Sequence, residues 1–261
     1  MPPVETPFGV RRLTYADYTA SGRALEFIED FIHDEVLPTY GNTHTEASAT
    51  GRRTTHLREE AREIIQASVG ATAAEHAVIF AGSGATGAID RLVGILGLRA
   101  PQGTVDRDGL AWSVDPHRRA VVLVEPYEHH SNELSWRETI TEVVAIPEDA
   151  DGQVDLGALE QRLRQFADRP LRIGSFSAAS NVTGIVSNTS AIARLLHAHG
   201  ALSFWDFAAA GPYVPIQMAE IAAASHRLLG SLASSVRAGF RLRLRGGPAN
   251  HLGHHDRDDR T

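Results

Sequence analysis

The sequence predicts an α/β fold built on a largely parallel sheet. Two observations carry this prediction. Five short runs rich in β-branched and aromatic residues, 77–81, 120–125, 141–146, 171–177 and 201–206, each end in turn residues. Between them, apolar residues recur at helical spacing over ten to fifteen positions, and that alternation is the pattern of parallel βαβ units.

Taken in order, Leu57, Ala61, Ile64, Ile65 and Val69 lie at i, i+4, i+7, i+8 and i+12, a stripe down one helix face. The run 77–81 opens into Gly82-Ser83-Gly84-Ala85-Thr86-Gly87, after which Ile89, Leu92, Val93 and Leu96 resume helical spacing. The run 120–125 leads to Pro126-Tyr127-Glu128-His129-His130-Ser131-Asn132. After the run 141–146, Leu156, Leu159, Leu163 and Phe166 mark a helix with Asp155 placed as its N-cap. The run 171–177 is followed by Ile192, Leu195 and Leu196, with Ser187 or Asn188 as the cap. The run 201–206 comes last.

The 261 residues are 43% hydrophobic and 22% charged, an ordinary globular composition. There is no cysteine, which excludes disulfides, thiolate metal sites and a cysteine nucleophile in this chain, and no metal is expected. No apolar run approaches the roughly 20 residues of a membrane span. The opening MPPVETPFGVRR lacks a signal-peptide core, so a cytoplasmic protein with no membrane partner is expected. A net charge of −7 argues against a nucleic-acid partner. All 25 basic residues are arginine, so no Schiff base can form on a lysine of this chain.

In parallel sheets, ligands sit beyond the carboxyl ends of the strands, and those turns hold the chemistry-bearing residues. Backbone N–H groups of a glycine-rich turn at a helix start make an anion cradle, to which Thr86 adds a hydroxyl. The same string satisfies G-x-G-x-x-G, the dinucleotide fingerprint of nicotinamide-dependent oxidoreductases. The acidic residue that fingerprint needs some 20 positions on falls in a loop-like stretch, so a phosphate cradle is the better reading. His129 or His130 offers an imidazole for stacking or proton transfer. Asn181, in Ser180-Asn181-Val182-Thr183-Gly184, offers an amide to a ligand oxygen. Asp206 stands among large apolar residues, where a carboxylate calls for a cationic partner.

These strand ends, in this order, resemble the class V aminotransferases, the pyridoxal-phosphate family that includes the cysteine desulfurases. The likeness covers roughly residues 14–218. It runs through Tyr15-Ala16-Asp17-Tyr18-Thr19-Ala20, Tyr40-Gly41-Asn42-Thr43-His44-Thr45, Ser83-Gly84-Ala85-Thr86, Glu128-His129-His130-Ser131-Asn132 and Ser180-Asn181-Val182-Thr183-Gly184. The resemblance implies the large cofactor domain of a type I aminotransferase-like fold, its sheet covered by helices on both faces. It implies pyridoxal 5′-phosphate as cofactor, with Gly84, Ala85 and Thr86 at the phosphate and His129 stacked on the ring. Asn181 would bond the phenolic oxygen, and Asp206 would pair with the protonated ring nitrogen. It further implies an amino-acid substrate, handled by Cβ/Cγ–heteroatom cleavage or amino transfer. A homodimer is implied too, with residues 41–55 near the contact.

Three departures stand out. Ala209 replaces a glutamine common in desulfurases, which removes a second phenolate contact. The family's cofactor lysine follows the aspartate by some 25 positions, near Leu232 here, where no lysine stands. The family's C-terminal small domain is also missing, and with it the substrate-carboxylate arginine and any catalytic cysteine.

Residues 1–218 hold 18 arginines against 28 acids, whereas residues 219–261 hold 7 against 4. The expected organisation is therefore an N-terminal arm over 1–40, an incomplete cofactor domain over 41–218, and an aberrant or poorly ordered tail over 219–261. A reading-frame change near residues 218–225 accounts for the shift and makes the chain a truncated, inactive copy. The alternative is a lysine-free relative, a dimerising or cofactor-binding remnant without catalysis.

Overall fold

The computed structural model describes residues 3–43, 46–99, 115–218 and 221. Expectations resting on His44, Thr45 and the stretch after Ile221, including the region of Leu232, lie outside the described residues. No helix among the described residues is long and apolar enough to cross a membrane.

The chain begins with an antiparallel hairpin, β1 (Pro3–Thr6) and β2 (Gly9–Arg12), which the sequence reading did not anticipate. Helix α1 (Glu26–Phe31) continues through a π turn over Ile32–Val36 and a short 3₁₀ turn over Leu37–Thr39. Helix α2 (Ala49–Ser68) contains most of the Leu57–Val69 stripe; Ser48 caps it, its hydroxyl accepting from the Gly51 N–H at 3.0 Å. Helix α3 (Gly84–Ile95) follows the glycine-rich turn.

Four of the five expected strands form. They are β3 (Val121–Val124), β4 (Glu142–Ala145), β5 (Arg172–Ser177) and β6 (Leu202–Asp206), all parallel, in the order β4-β3-β5-β6. Between them run α4 (His130–Arg137), α5 (Leu156–Gln165) and α6 (Thr189–Ala198). Asp155 and Asn188 cap α5 and α6, accepting from the Ala158 and Ala191 N–H groups at 3.0 and 3.1 Å. Helix α4 starts in the middle of the histidine stretch, read from sequence as a turn.

The fifth strand is a correction. Residues 77–81 form no strand, and Ile79 and Phe80 are about half exposed. Side chains of α2 take the place of a neighbouring strand: Arg62 Nε donates to the Val78 carbonyl at 3.2 Å, and Gln66 Nε2 to the His76 carbonyl at 3.0 Å.

Alternation along β3 separates the two faces of the sheet. Val121 and Leu123 enter a core with Leu159 and Leu163 of α5, Ile192 and Leu196 of α6, Phe176 and Trp205. Val122 and Val124 enter a second core with Ile89, Leu92 and Val93 of α3, Trp136 of α4, Ile173 and Phe204. Both faces are thus covered, the normal state of a parallel sheet. Met218 and Ile221 are buried in the first core.

From β3 the chain steps to β4 on one side and then crosses to β5 on the other. Sheets open a crevice at such a reversal, at the strands' carboxyl ends.

Candidate functional site

At those carboxyl ends lies a cavity of about 480 Å³. Gly84, Ala85 and Thr86 reach it from the start of α3, and His129 from the turn after β3. Asn181 comes from the turn after β5, and Asp206 from the end of β6. All six residues singled out in the sequence therefore line one space.

The α3 end is built for close approach. Ser83 (φ 63°) and Gly84 (φ 69°) both take left-handed backbone. Ser83 is the one non-glycine residue among those described to do so, a strain of roughly 1–3 kcal/mol typical of functional turns. No side chain caps α3, so its leading N–H groups suit an anion. Gly87 admits no other residue, because a Cβ there would stand 2.0 Å from the Gly82 carbonyl oxygen.

His129 is the N-cap of α4. Its Nδ1 accepts from the Ser131 N–H at 3.2 Å and lies 2.7 Å from Ser131 Oγ. That places the neutral ring's proton on Nε2 and fixes the ring's orientation. Asn181 sits on a tight turn, with Ser180 Oγ accepting from the Val182 and Thr183 N–H groups at 3.3 and 3.2 Å. Asp206 is 6% exposed, and its Oδ1 accepts from the Ala208 N–H at 2.8 Å.

Sequence reasoning missed part of the lining. Asp17, Tyr18, Thr19 and Ala20 of the N-terminal arm border the cavity, as do Ser177 and Tyr213. Ser177 ends β5, so the strand-end rule could have found it. The arm carries one of the motifs behind the family resemblance, but its place on the wall depends on long-range docking.

The other missed group lies below the floor. Glu125 and Glu128 both accept from the Ser177 N–H, and Glu128 also accepts from Ser177 Oγ at 2.6 Å and Asn132 Nδ2 at 2.8 Å. Ser175 Oγ donates to Asn132 Oδ1 at 2.7 Å, and Trp136 Nε1 donates to Ser175 Oγ at 2.9 Å. Burial, and then the neighbouring Glu128 charge, push the Glu125 carboxyl up to about 9. Burial pushes Glu128 up to about 7, against the pull of its donors. Tyr127 is half-buried beside Glu125; burial, and then the Glu125 charge, push its hydroxyl up to about 12.

The dinucleotide reading loses its context here, because the fingerprint requires a strand directly before the glycine turn and residues 77–81 form none.

Comparison with known proteins accords with this geometry. The profile of the family described as Aminotransferase class-V matches residues 14–231. A probable cysteine desulfurase of Halalkalibacterium halodurans is 25% identical over 241 residues, 89% of this chain and 54% of that protein. Probable cysteine desulfurase 2 of Mycobacterium leprae is 26% identical over 231 residues, 85% of this chain and 51% of the other. Among solved structures, the apo cysteine desulfurase of Thermococcus onnurineus NA1 superposes with a TM-score of 0.60 at 19% identity, covering 78% of this chain and 46% of that one. A NifS-like protein from Rickettsia africae gives the same TM-score and identity, covering 78% and 50%. The fold is therefore that of a type I aminotransferase-like large domain, and the chain spans about half the length of the curated relatives it matches.

Proposed function

From the premise that this chain belongs to the class-V aminotransferase family, we propose that its cavity holds pyridoxal 5′-phosphate for chemistry on an amino acid. The observation that carries this reading is the convergence of an uncapped helix start, a histidine, an amide turn and a buried aspartate on one space of about 480 Å³. That volume lies within the range of small-molecule sites. The polar groups match the cofactor's phosphate, ring face, phenolic oxygen and ring nitrogen in turn.

In this assignment Gly84, Ala85 and Thr86 hold the phosphate through backbone N–H groups and the Thr86 hydroxyl. His129 covers one ring face, held by its Nδ1 contacts to Ser131. Asn181 donates to the phenolic oxygen, without help from position 209, which is alanine. Asp206 keeps the ring nitrogen protonated, its carboxylate facing that charge. When bound, the cofactor supplies an electron sink for a carbanion at the substrate Cα.

The reading assigns this chain non-covalent binding and negligible turnover by itself, because no lysine is present to act as amine or as general base. Desulfurase, lyase or aminotransferase activity then belongs to a protein that supplies the amine. The composition also favours a second reading, a cofactor-binding or dimerising protein without catalysis. We further assign the protein to the cytoplasm and to a homodimer, for which sedimentation should return twice the chain mass.

The test is a spectroscopic titration of the purified chain with pyridoxal 5′-phosphate. Saturable one-to-one binding is expected, weakened about 10–100-fold in Asp206→Ala by the loss of a charged hydrogen-bond partner. Gly87→Ala should abolish it by displacing the phosphate turn. An unsaturable response, identical in all three proteins, refutes the reading. Amino-acid turnover by the loaded chain alone would refute its non-catalytic part.

A further inference from the structure

Beneath the cavity two carboxyl groups meet over one backbone N–H. Glu125 follows β3 directly and is 1% exposed; its Oε1 accepts from the Ser177 N–H at 3.2 Å. Glu128 Oε1 accepts from the same N–H at 2.9 Å. The two are not equally served. Glu128 has the Ser177 hydroxyl and the Asn132 amide as further donors. Among the described residues, Glu125 has a 3.4 Å contact from Ser187 Oγ, whose shorter bond of 2.9 Å runs to the Ser177 carbonyl, and a weak interaction with the Tyr127 hydroxyl.

Among the described residues, the titratable groups that act most strongly on this pair are Tyr127 from the same turn and Asp206 from β6, with Glu148 acting on Tyr127 from beyond. β5 contributes Ser177, the connection from β5 to α6 contributes Ser187, and α4 contributes Asn132. These partners are acidic or neutral. Two buried carboxylates so placed cannot both ionise without a large penalty.

We propose that Glu125 and Glu128 hold one proton between them in mildly alkaline solution, with Glu125 as the acid and Glu128 as the anion, and that a cationic ligand group opposite Asp206 drives this proton into bulk solvent. Ser177 makes the connection: it lines the cavity and faces Asp206 in the sheet register. Glu128 is therefore a positioning residue. It fixes Ser177 directly and, through Asn132, the first turn of α4 that carries His129. The coupling to a ligand rests on the pyridoxal-phosphate reading, whereas the shared proton does not.

Two measurements on the full chain separate these parts. Infrared difference spectra at pH 8, where Glu128 is ionised, should show one protonated carboxyl band, lost in Glu125→Gln and kept in Glu128→Gln. Absence of the band from the unmodified chain, or its survival in Glu125→Gln, overturns the shared proton. Calorimetric titration with pyridoxamine 5′-phosphate, in two buffers of different ionisation enthalpy, counts protons released on binding. The unmodified chain should release up to about one proton more per ligand than Glu125→Gln, which removes the ligand's own titration from the comparison. Equal counts overturn the coupling. If the band is present and pyridoxamine 5′-phosphate does not bind, the cofactor reading and the coupling both fall while the shared proton stands.

Discussion

At the scale of single residues, Glu125 dominates the expected pH response. Its carboxyl titrates near 9 in the folded chain against roughly 4.3 in an unfolded one, so the folded state holds the extra proton throughout that window. Stability contributed by the protonated form is complete below the unfolded value and is lost as pH rises through 9. Glu128, raised to about 7, acts in the same direction over a narrower range. Urea unfolding should therefore show stability falling by a few kcal/mol between pH 6 and pH 9. Glu125→Gln should flatten that slope and exceed the unmodified chain at pH 9. Parallel curves for the two proteins would contradict the assignment. The sequence made Asp206 visible because it ends a strand among apolar residues. Glu125 ends one too, and Glu128 stands in a motif behind the family resemblance, but the burial of the two carboxyls over the Ser177 N–H comes only from the folding back of β5.

At the scale of elements, helices and central strands were legible because each carries its own period. β3 alternates between two cores, and α5 and α6 show both a stripe and a capping residue. Residues 77–81 misled for the same reason: their apolar run has strand character, yet Arg62 bonds the Val78 carbonyl and Gln66 the His76 carbonyl just before the run. A strand requires a partner, and partnership is not a property of five residues. The packing of β5 on α6 gives a sharp test. A Cβ at Gly174 would stand 2.5 Å from Leu196 Cδ1 and 2.6 Å from Phe176 Cε2. Gly174→Ala should cost about 1–3 kcal/mol by overpacking, measured as a lower denaturant midpoint at unchanged slope. An unchanged midpoint would mean that α6 is free to move outward.

At the scale of the molecule, the order β4-β3-β5-β6 explains why one cavity gathers residues so far apart in sequence. Every strand delivers its carboxyl end to the same edge, and the reversal beside β3 opens the crevice there. The sequence order of the motifs contained this in outline, since each turn follows a strand. The N-terminal arm was not legible as part of the wall, because only tertiary docking brings Asp17 and Tyr18 to Asp206. The chain spans about half of its curated relatives and carries no lysine, so binding and turnover separate cleanly as questions. Equilibrium dialysis with pyridoxal 5′-phosphate, followed by borohydride reduction and intact mass, addresses the binding claim most directly. The account predicts one cofactor retained per chain, retained about 10–100-fold more weakly in Asp206→Ala, with no covalent increment on any internal residue. A chain that retains no cofactor at all would contradict it.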